Sequence, residues 1–441
     1  MKRRQLLRSM GTATLSAVAL EGLALAQGNE PTPKSNDSPP AAGLAGAWAD
    51  YHQTLEEMRL LLEATGRFKG TPQHRAKAYH TLMEAQAMAY NFAVAPRMSH
   101  PRIFLSSGWQ TDMYTLGQNG QDFLYGVVFV DGRQTYRLSG RLGDISLMLL
   151  QTFNGLFGEH GVKAVGNYDW ANFKVDKHGN FEVMLSPSRQ PGNWIPLDAG
   201  VPYQFMLIRR ALPKWDGDRG ELKLERVNVL PDDYYDADEF DEAAMASRIR
   251  RSASFVRYLI DDFTVQLYDM YLKNAGGRKN VLTLMPGTTT SQVGSPTSSY
   301  AMAVFELQKG EALLIELDKV PDGAYWSFQL GDVWSRSLNF MSHESTLNDV
   351  ETVVDEDGRV RLVVSHKDPG ISNWLDPCGR IEGTVVFRNY RAKTAVVPAS
   401  RKIELAKLDA ELPQGTRRVT PADRKRNLER RRAAQVKLYG E

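Results

Sequence analysis

The chain repeats itself, and that repeat limits what it can fold into. Asp176 and Gly179 lead into a strand pattern at Phe181–Leu185, followed by Ser186, Pro191, Asn193, Trp194, Gly200 and Arg209. Asp355 and Gly358 lead into Val360–Val364, then Ser365, Pro369, Asn373, Trp374, Gly379 and Arg388, with each pair separated by 178 to 180 residues. Asp-x-x-Gly is hairpin-turn chemistry, and the Asn-Trp pairs read as one structural corner used twice. Two related β-sandwich or jelly-roll domains made by duplication are the expected result. Residues shared by both copies, the terminal arginines Arg209 and Arg388 among them, are expected to serve packing, and unshared ones function.

Helical patterns surround this β framework. Trp48, Tyr51, Leu55, Met58 and Leu62 recur at helical spacing, and a second helix opens with Thr71 as N-cap and Pro72 at its first position. The stretch from Pro231 to Asn274 is helical, with an acidic start suited to the positive end of a helix dipole. Thr420-Pro421-Ala422-Asp423 begins a closing basic helix, read as a solvated face. The fold class is therefore mainly β with flanking helices: two duplicated sandwiches, an N-terminal helical pair and a C-terminal helix. The expected segments are 44–98 (N-terminal helices), 99–230 (first sandwich), 231–280 (helical connector), 281–398 (second sandwich) and 399–441 (tail and helix).

The N-terminus carries an address. Arg3-Arg4-Gln5-Leu6-Leu7 has the form of a twin-arginine export motif; an apolar run follows, and Ala24-Leu25-Ala26 is a small-x-small cleavage site. Residues 1–26 are read as a signal peptide and 27–43 as a Pro/Ser/Asn-rich tether, so the mature protein is expected in the periplasm or outside the cell. No other run approaches the length of a membrane span. Over 441 residues a formal charge of +2 argues against nucleic acid, and a single cysteine, Cys378, excludes an internal disulfide.

Tyr325-Trp326-x-Phe328-Gln329-Leu330, Trp334-x-x-Ser337-Leu338 and Ser365-His366-x-Asp368-Pro369-Gly370-x-x-Asn373-Trp374-Leu375-Asp376 together resemble the bacterial family labelled domain of unknown function 1214. Gly379, Glu382-Gly383-Thr384 and Arg388 extend the resemblance, as do Gly192 to Leu197 in the first copy and Val419 to Asp423 in the tail. It implies tandem jelly-roll or β-sandwich structure and assigns no reaction.

The candidate chemistry lies in the second copy. A histidine titrates near neutral pH and a neighbouring carboxylate fixes its tautomer, so His366 with Asp368 or Asp376, and His343 opposite, form a candidate acid–base set. The competing reading is that His366 and Asp368 only cap a tight turn. Trp326, Gln329, Trp334, Asn348, Asn373, Trp374 and Arg388 are the candidate substrate contacts. There is no G-x-S-x-G elbow, and Cys378 reads as an inert buried residue. No cofactor or metal is assigned.

These residues point to an exported enzyme acting on a small, mainly apolar or lipid-like molecule of steroid, terpenoid or aromatic type. The alternative is a periplasmic binding module, without turnover, for carbohydrate or cell-envelope material. A third reading is a metal-assisted hydrolase using His343, His366 and Asp368 or Asp376 as ligands.

Overall fold

The computed structural model describes residues 43–105, 115–227, 241–285 and 298–439. The expected signal peptide, nearly all of the tether and most of the acidic run after Pro231 lie outside the described residues. Two helices come first, α1 (Gly43–Ala64) and α2 (Pro72–Ala89), and α2 continues into a π-helical turn at Tyr90–Val94. Thr71 caps α2 as expected, its hydroxyl accepting from the His74 N–H at 3.1 Å.

The first sandwich is built from β1 (Phe104–Leu105), β2 (Phe123–Val130), β3 (Tyr136–Arg141), β4 (Leu147–Phe153), β5 (Ala164–Asp169), β6 (Asn180–Ser186), β7 (Trp194–Pro196), β8 (Gln204–Ala211) and β9 (Glu221–Arg226). One sheet runs β1-β2-β8-β4-β5 and the other β7-β6-β3-β9. Next come α3 (Glu242–Arg257), a π-helical segment (Tyr258–Gln266) and α4 (Leu267–Asn274). Asp241 caps α3 by accepting from the Ala244 N–H at 2.6 Å.

The second sandwich contains β10 (Thr283–Leu284), β11 (Ser298–Glu306), β12 (Glu311–Leu317), β13 (Tyr325–Gly331), β14 (Thr346–Asn348), β15 (Val360–Ser365), β16 (Trp374–Leu375), β17 (Glu382–Tyr390) and β18 (Ala399–Glu404). Its sheets run β10-β11-β17-β13-β14 and β16-β15-β12-β18, so adding nine to each strand of the first half generates the second. The repeat extends to single atoms. Asn193 donates to the carbonyls of Lys174 and Glu182, and Asn373 donates to those of Val353 and Arg361. Trp194 donates to Ser186, and Trp374 to Ser365. Gly179 and Gly358 close their Asp-x-x-Gly turns at φ 83° and 78°, a conformation that favours glycine.

Each sandwich has its own core between its sheets, centred on Tyr136, Phe181 and Ile208 in the first and on Phe305, Phe328 and Phe387 in the second. A third and larger core lies where β2, β8 and β4 face β11, β17 and β13, with α2, α3 and α4 packed over it. There Phe123 meets Tyr325 and Tyr390 at ring-centroid distances of 5.0 and 5.1 Å.

The short α5 (Leu408–Glu411) precedes the closing α6 (Pro421–Tyr439). Thr420 and Asp423 form the expected reciprocal cap, Thr420 N–H to Asp423 at 2.7 Å and Asp423 N–H to Thr420 at 3.2 Å. The basic helix is not wholly a solvated face. Arg431 is fully buried against Glu344 at 2.9 Å and Glu351 at 3.1 Å, and Arg424 pairs with Asp368 at 3.1 Å. Two of its cations anchor the helix to the second sandwich, an outcome that charge counting along a helix does not distinguish from exposure.

Helix α2 is fixed to both halves by Glu84, whose buried carboxylate accepts from Arg336 at 3.1 Å and from the Leu116 N–H at 2.7 Å. Replacing Glu84 by Ala strands a buried guanidinium and is expected to destabilise by about 3 kcal/mol, while Glu84→Gln retains an oxygen for Leu116 and loses less. Urea unfolding of the two variants checks the order; equal losses would contradict it.

Candidate functional site

The central core is not completely filled. It contains a cavity of about 170 Å³ bounded by both sandwiches and the helical layer. Most of the wall is apolar: Met88 and Phe92 from α2 and its π turn, Phe157, Phe205 and Leu207 from the first half, Phe255, Leu259 and Phe263 from the connector, and Met302 from β11. Both helices that cover it carry π-helical turns at the lining residues Phe92, Tyr258 and Phe263, a distortion common at binding sites.

The polar part of the wall repeats across the two halves. In the first, Tyr125 on β2 lies beside Arg209 on β8, and Arg209 donates to Gln151 on β4 at 3.1 Å. In the second, Tyr300 on β11 lies beside Arg388 on β17, and Arg388 donates to Gln329 on β13 at 2.5 Å. The same strands of the two sheets thus bring two Tyr-Arg pairs to one cavity, each arginine backed by a glutamine and buried, at 4% and 6% exposure. Arg388 also donates to the Gln118 carbonyl, and Tyr300 donates to Tyr390 Oη at 3.0 Å.

Residues 115–122 of the first half cross into the second and shape this end of the cavity. Gly117 and Gln118 donate to the Ser335 carbonyl at 2.8 and 3.1 Å, and Gln329 donates to the Asn119 carbonyl at 2.8 Å. Gln118 adopts φ 47°, a strained left-handed conformation for a residue with a side chain. Behind it Asp122 accepts from Tyr325 at 2.5 Å and from Asn348 at 2.8 Å. Burial pushes the Asp122 carboxyl upward against the pull of these donors and of Arg388. Two polar atoms on cavity-lining residues, Tyr271 Oη and Gln118 Oε1, have no hydrogen-bond partner among the described residues.

Of the residues singled out in the sequence, the structure brings Arg388 to this cavity, with Gln329 behind it. Asn348 lies one layer further, bridging Asp122 and the Pro213 carbonyl. Trp326 belongs to the second sandwich core, and Trp334 donates to the His74 carbonyl at 3.0 Å, docking α2. Asn373 and Trp374 form the repeated corner.

The four acid–base candidates separate. His343 Nδ1 meets Asp376 Oδ2 at 2.7 Å with the imidazole 40% exposed. His366 Nε2 is at 3.0 Å from the Leu307 carbonyl, and Asp368 accepts from the Gly370 N–H at 2.8 Å and pairs with Arg424. His366 and Asp368 form no hydrogen bond with each other, so Asp368 is spent on the turn and on α6 rather than on orienting an imidazole. Cys378 joins the other pair: its sulfur, a ring nitrogen of His343 and an Asp376 oxygen all lie within 4.8 Å of one another. Burial, and then the Asp376 charge, push the Cys378 thiol up to about 12, which agrees with an inert cysteine.

Sequence reasoning named Tyr300 among the aromatics that could line a pocket, but did not place Arg209, Tyr125, Tyr271 or Tyr390 there. A usable signal was present: Gln151 and Arg209 recur as Gln329 and Arg388 at nearly the same offset as the Asn-Trp corners. The shared arginines, expected to serve packing, are buried and also line the cavity. Strand pairing carries both of them to the facing sheets.

Comparison with known proteins fits this architecture. Residues 306–394 match the family described as protein of unknown function (DUF1214). The match covers β12 to β17 and adjoining turns, and includes His343, His366, Asp376 and Arg388. An uncharacterised protein from Burkholderia cenocepacia has a similar crystal structure, with TM-score 0.73 and 26% identity over 82% of this chain and 98% of that chain. A protein from Vibrio parahaemolyticus aligns over 74% of this chain and 97% of its own at 12% identity and TM-score 0.42. No curated protein matches. Among the described residues no helix is long and apolar enough to cross a membrane.

The π-helical segment over the cavity includes Asp262, whose carboxyl is pushed up to about 7 by burial and then by the Asp261 charge. Its folded pKa exceeds its ordinary value of 3.8, so the native state holds this proton more tightly. Stability is then expected to fall as pH rises from about 4 through 7. The melting temperature should be higher at pH 5 than at pH 8, and Asp262→Asn should reduce that difference; an unchanged difference would show that other groups set it.

Proposed function

We propose that this protein is a binding protein for a small, mainly apolar molecule, held in the cavity between its two sandwiches. The observation that carries the reading is the cavity itself: an aromatic-rich, mostly apolar wall with buried tyrosines and arginines set into it. A cavity of roughly 150 Å³ lined by apolar side chains accommodates benzene. At about 170 Å³ this one suits a single aromatic ring or a short chain, and a steroid would need the walls to move apart. That narrows the lipid-like class expected from the sequence to its small aromatic members. The twin-arginine signal read at residues 1–26 would place such binding outside the cytoplasm.

The enzyme reading keeps one specific support, the His343–Asp376 pair at 2.7 Å, in which the carboxylate can orient an accessible imidazole. Neither residue lines the cavity, so this reading calls for a separate site at the surface of the second sandwich. His366 is set against the Leu307 carbonyl and has no such carboxylate to orient it.

Leu207 lines the cavity from β8 and is incompletely buried, so Leu207→Trp should fill the space. Toluene at millimolar concentration is expected to raise the melting temperature of the wild type and to lose most of that effect in the variant. An equal rise in both would put toluene elsewhere and remove the support for the cavity as the binding site.

A further inference from the structure

We propose that the cavity selects anions: its ligand is a small aromatic or short-chain acid whose carboxylate, or a group of like charge and size, is received by Arg388. This rests on the binding reading above and names the substrate class of the same site.

Arg388 is a buried cation, 6% exposed, with no ion-pair partner among the described residues. A guanidinium remains protonated in any protein environment, and burying one without a counter-charge is costly. The hydrogen bonds of Arg388 go to two neutral acceptors, the Gln329 side-chain amide and the Gln118 carbonyl. The carboxylate that senses it, Asp122, is already held by Tyr325 and Asn348. Burial opposes the Arg388 charge, yet a guanidinium does not give up its proton in a protein, so the cation persists.

Packing alone does not account for this arrangement. A guanidinium carries five N–H donors in a planar fork, and Arg388 uses those of two terminal nitrogens on Gln329 and Gln118. Arg209 supplies a second cation to the same wall. Tyr271 Oη, 2% exposed as a residue and without a partner among the described residues, adds a hydroxyl donor. An entering carboxylate would neutralise buried charge and satisfy Tyr271, and its ring or chain would occupy the Phe, Leu and Met wall. A neutral molecule of the same shape would obtain only the second gain. Tyrosine and arginine hydrogen bonds to an anion in such a low-dielectric site are among the stronger ones proteins make.

The test compares benzoate, benzamide and toluene, by calorimetric titration at pH 7 on the full-length mature protein and on Arg388→Gln and Tyr271→Phe. The expected result is benzoate binding at least tenfold more tightly than benzamide, with Arg388→Gln abolishing that preference while toluene binding persists. Tyr271→Phe, which removes an unpartnered hydroxyl and should fold normally, is expected to weaken benzoate several-fold and leave toluene unchanged. Toluene and benzamide binding with no advantage for benzoate would overturn the anion assignment and leave the cavity reading standing. No binding of any of the three would overturn both. Should Arg388→Gln fail to fold, the wild-type comparison and Tyr271→Phe decide the matter.

Discussion

The structure depends on the segment from Thr115 to Asp122, which leaves the first half and hydrogen-bonds inside the second. Its backbone pairs with Ser335 and Ser337, its carbonyls receive Gln329 and Arg388, and its last residue accepts from Tyr325 and Asn348. These groups are largely buried, and unpaired buried polar groups are penalised much more than paired ones are rewarded. The contact therefore specifies one relative arrangement of the two sandwiches. Everything about the cavity follows from it, because neither half alone encloses the space.

The helical layer completes the enclosure by a different means. It contributes mostly aromatic and aliphatic side chains, and is fixed at its edges by charge: Glu84 with Arg336, and Arg251 with Glu159 at 2.9 Å. Arg67 adds to this, donating to the Val333 carbonyl at 2.7 Å and lying 4.1 Å from the Tyr268 ring centroid. An apolar lid held by peripheral polar clamps can shift at its centre without losing its anchors. The wider π-type turns at Phe92 and Tyr258 lie at that centre.

Much of the architecture was legible in the chain. Alternation marked the strands, turn chemistry marked the hairpins, and equal offsets revealed two copies of one topology. Caps at Thr71 and Thr420 were readable because capping is local. The site was less legible, since it is made by pairing across the interface of the halves. Tyr125 and Arg209 are far apart in sequence and adjacent only through strand register. His366 and Asp368 looked like a pair because they are neighbours in sequence, but the turn sends one to Leu307 and the other to Arg424. His343 and Asp376 were both noted, and only folding shows that they are the two that meet.

The paired Tyr-Arg-Gln sets have a consequence for how such a protein could arise. When one chain supplies equivalent residues to both sides of a shared cavity, the geometry is that of a twofold dimer whose partners have been joined. A single-repeat ancestor would have presented two identical sets to its ligand, and fusion released each set to change on its own. The halves already differ where β4 and β13 begin: Tyr325 and Tyr390 occupy positions that Leu147 and Ala211 hold in the first copy. The cavity is thus flanked by two equivalent sets whose surroundings are no longer equivalent.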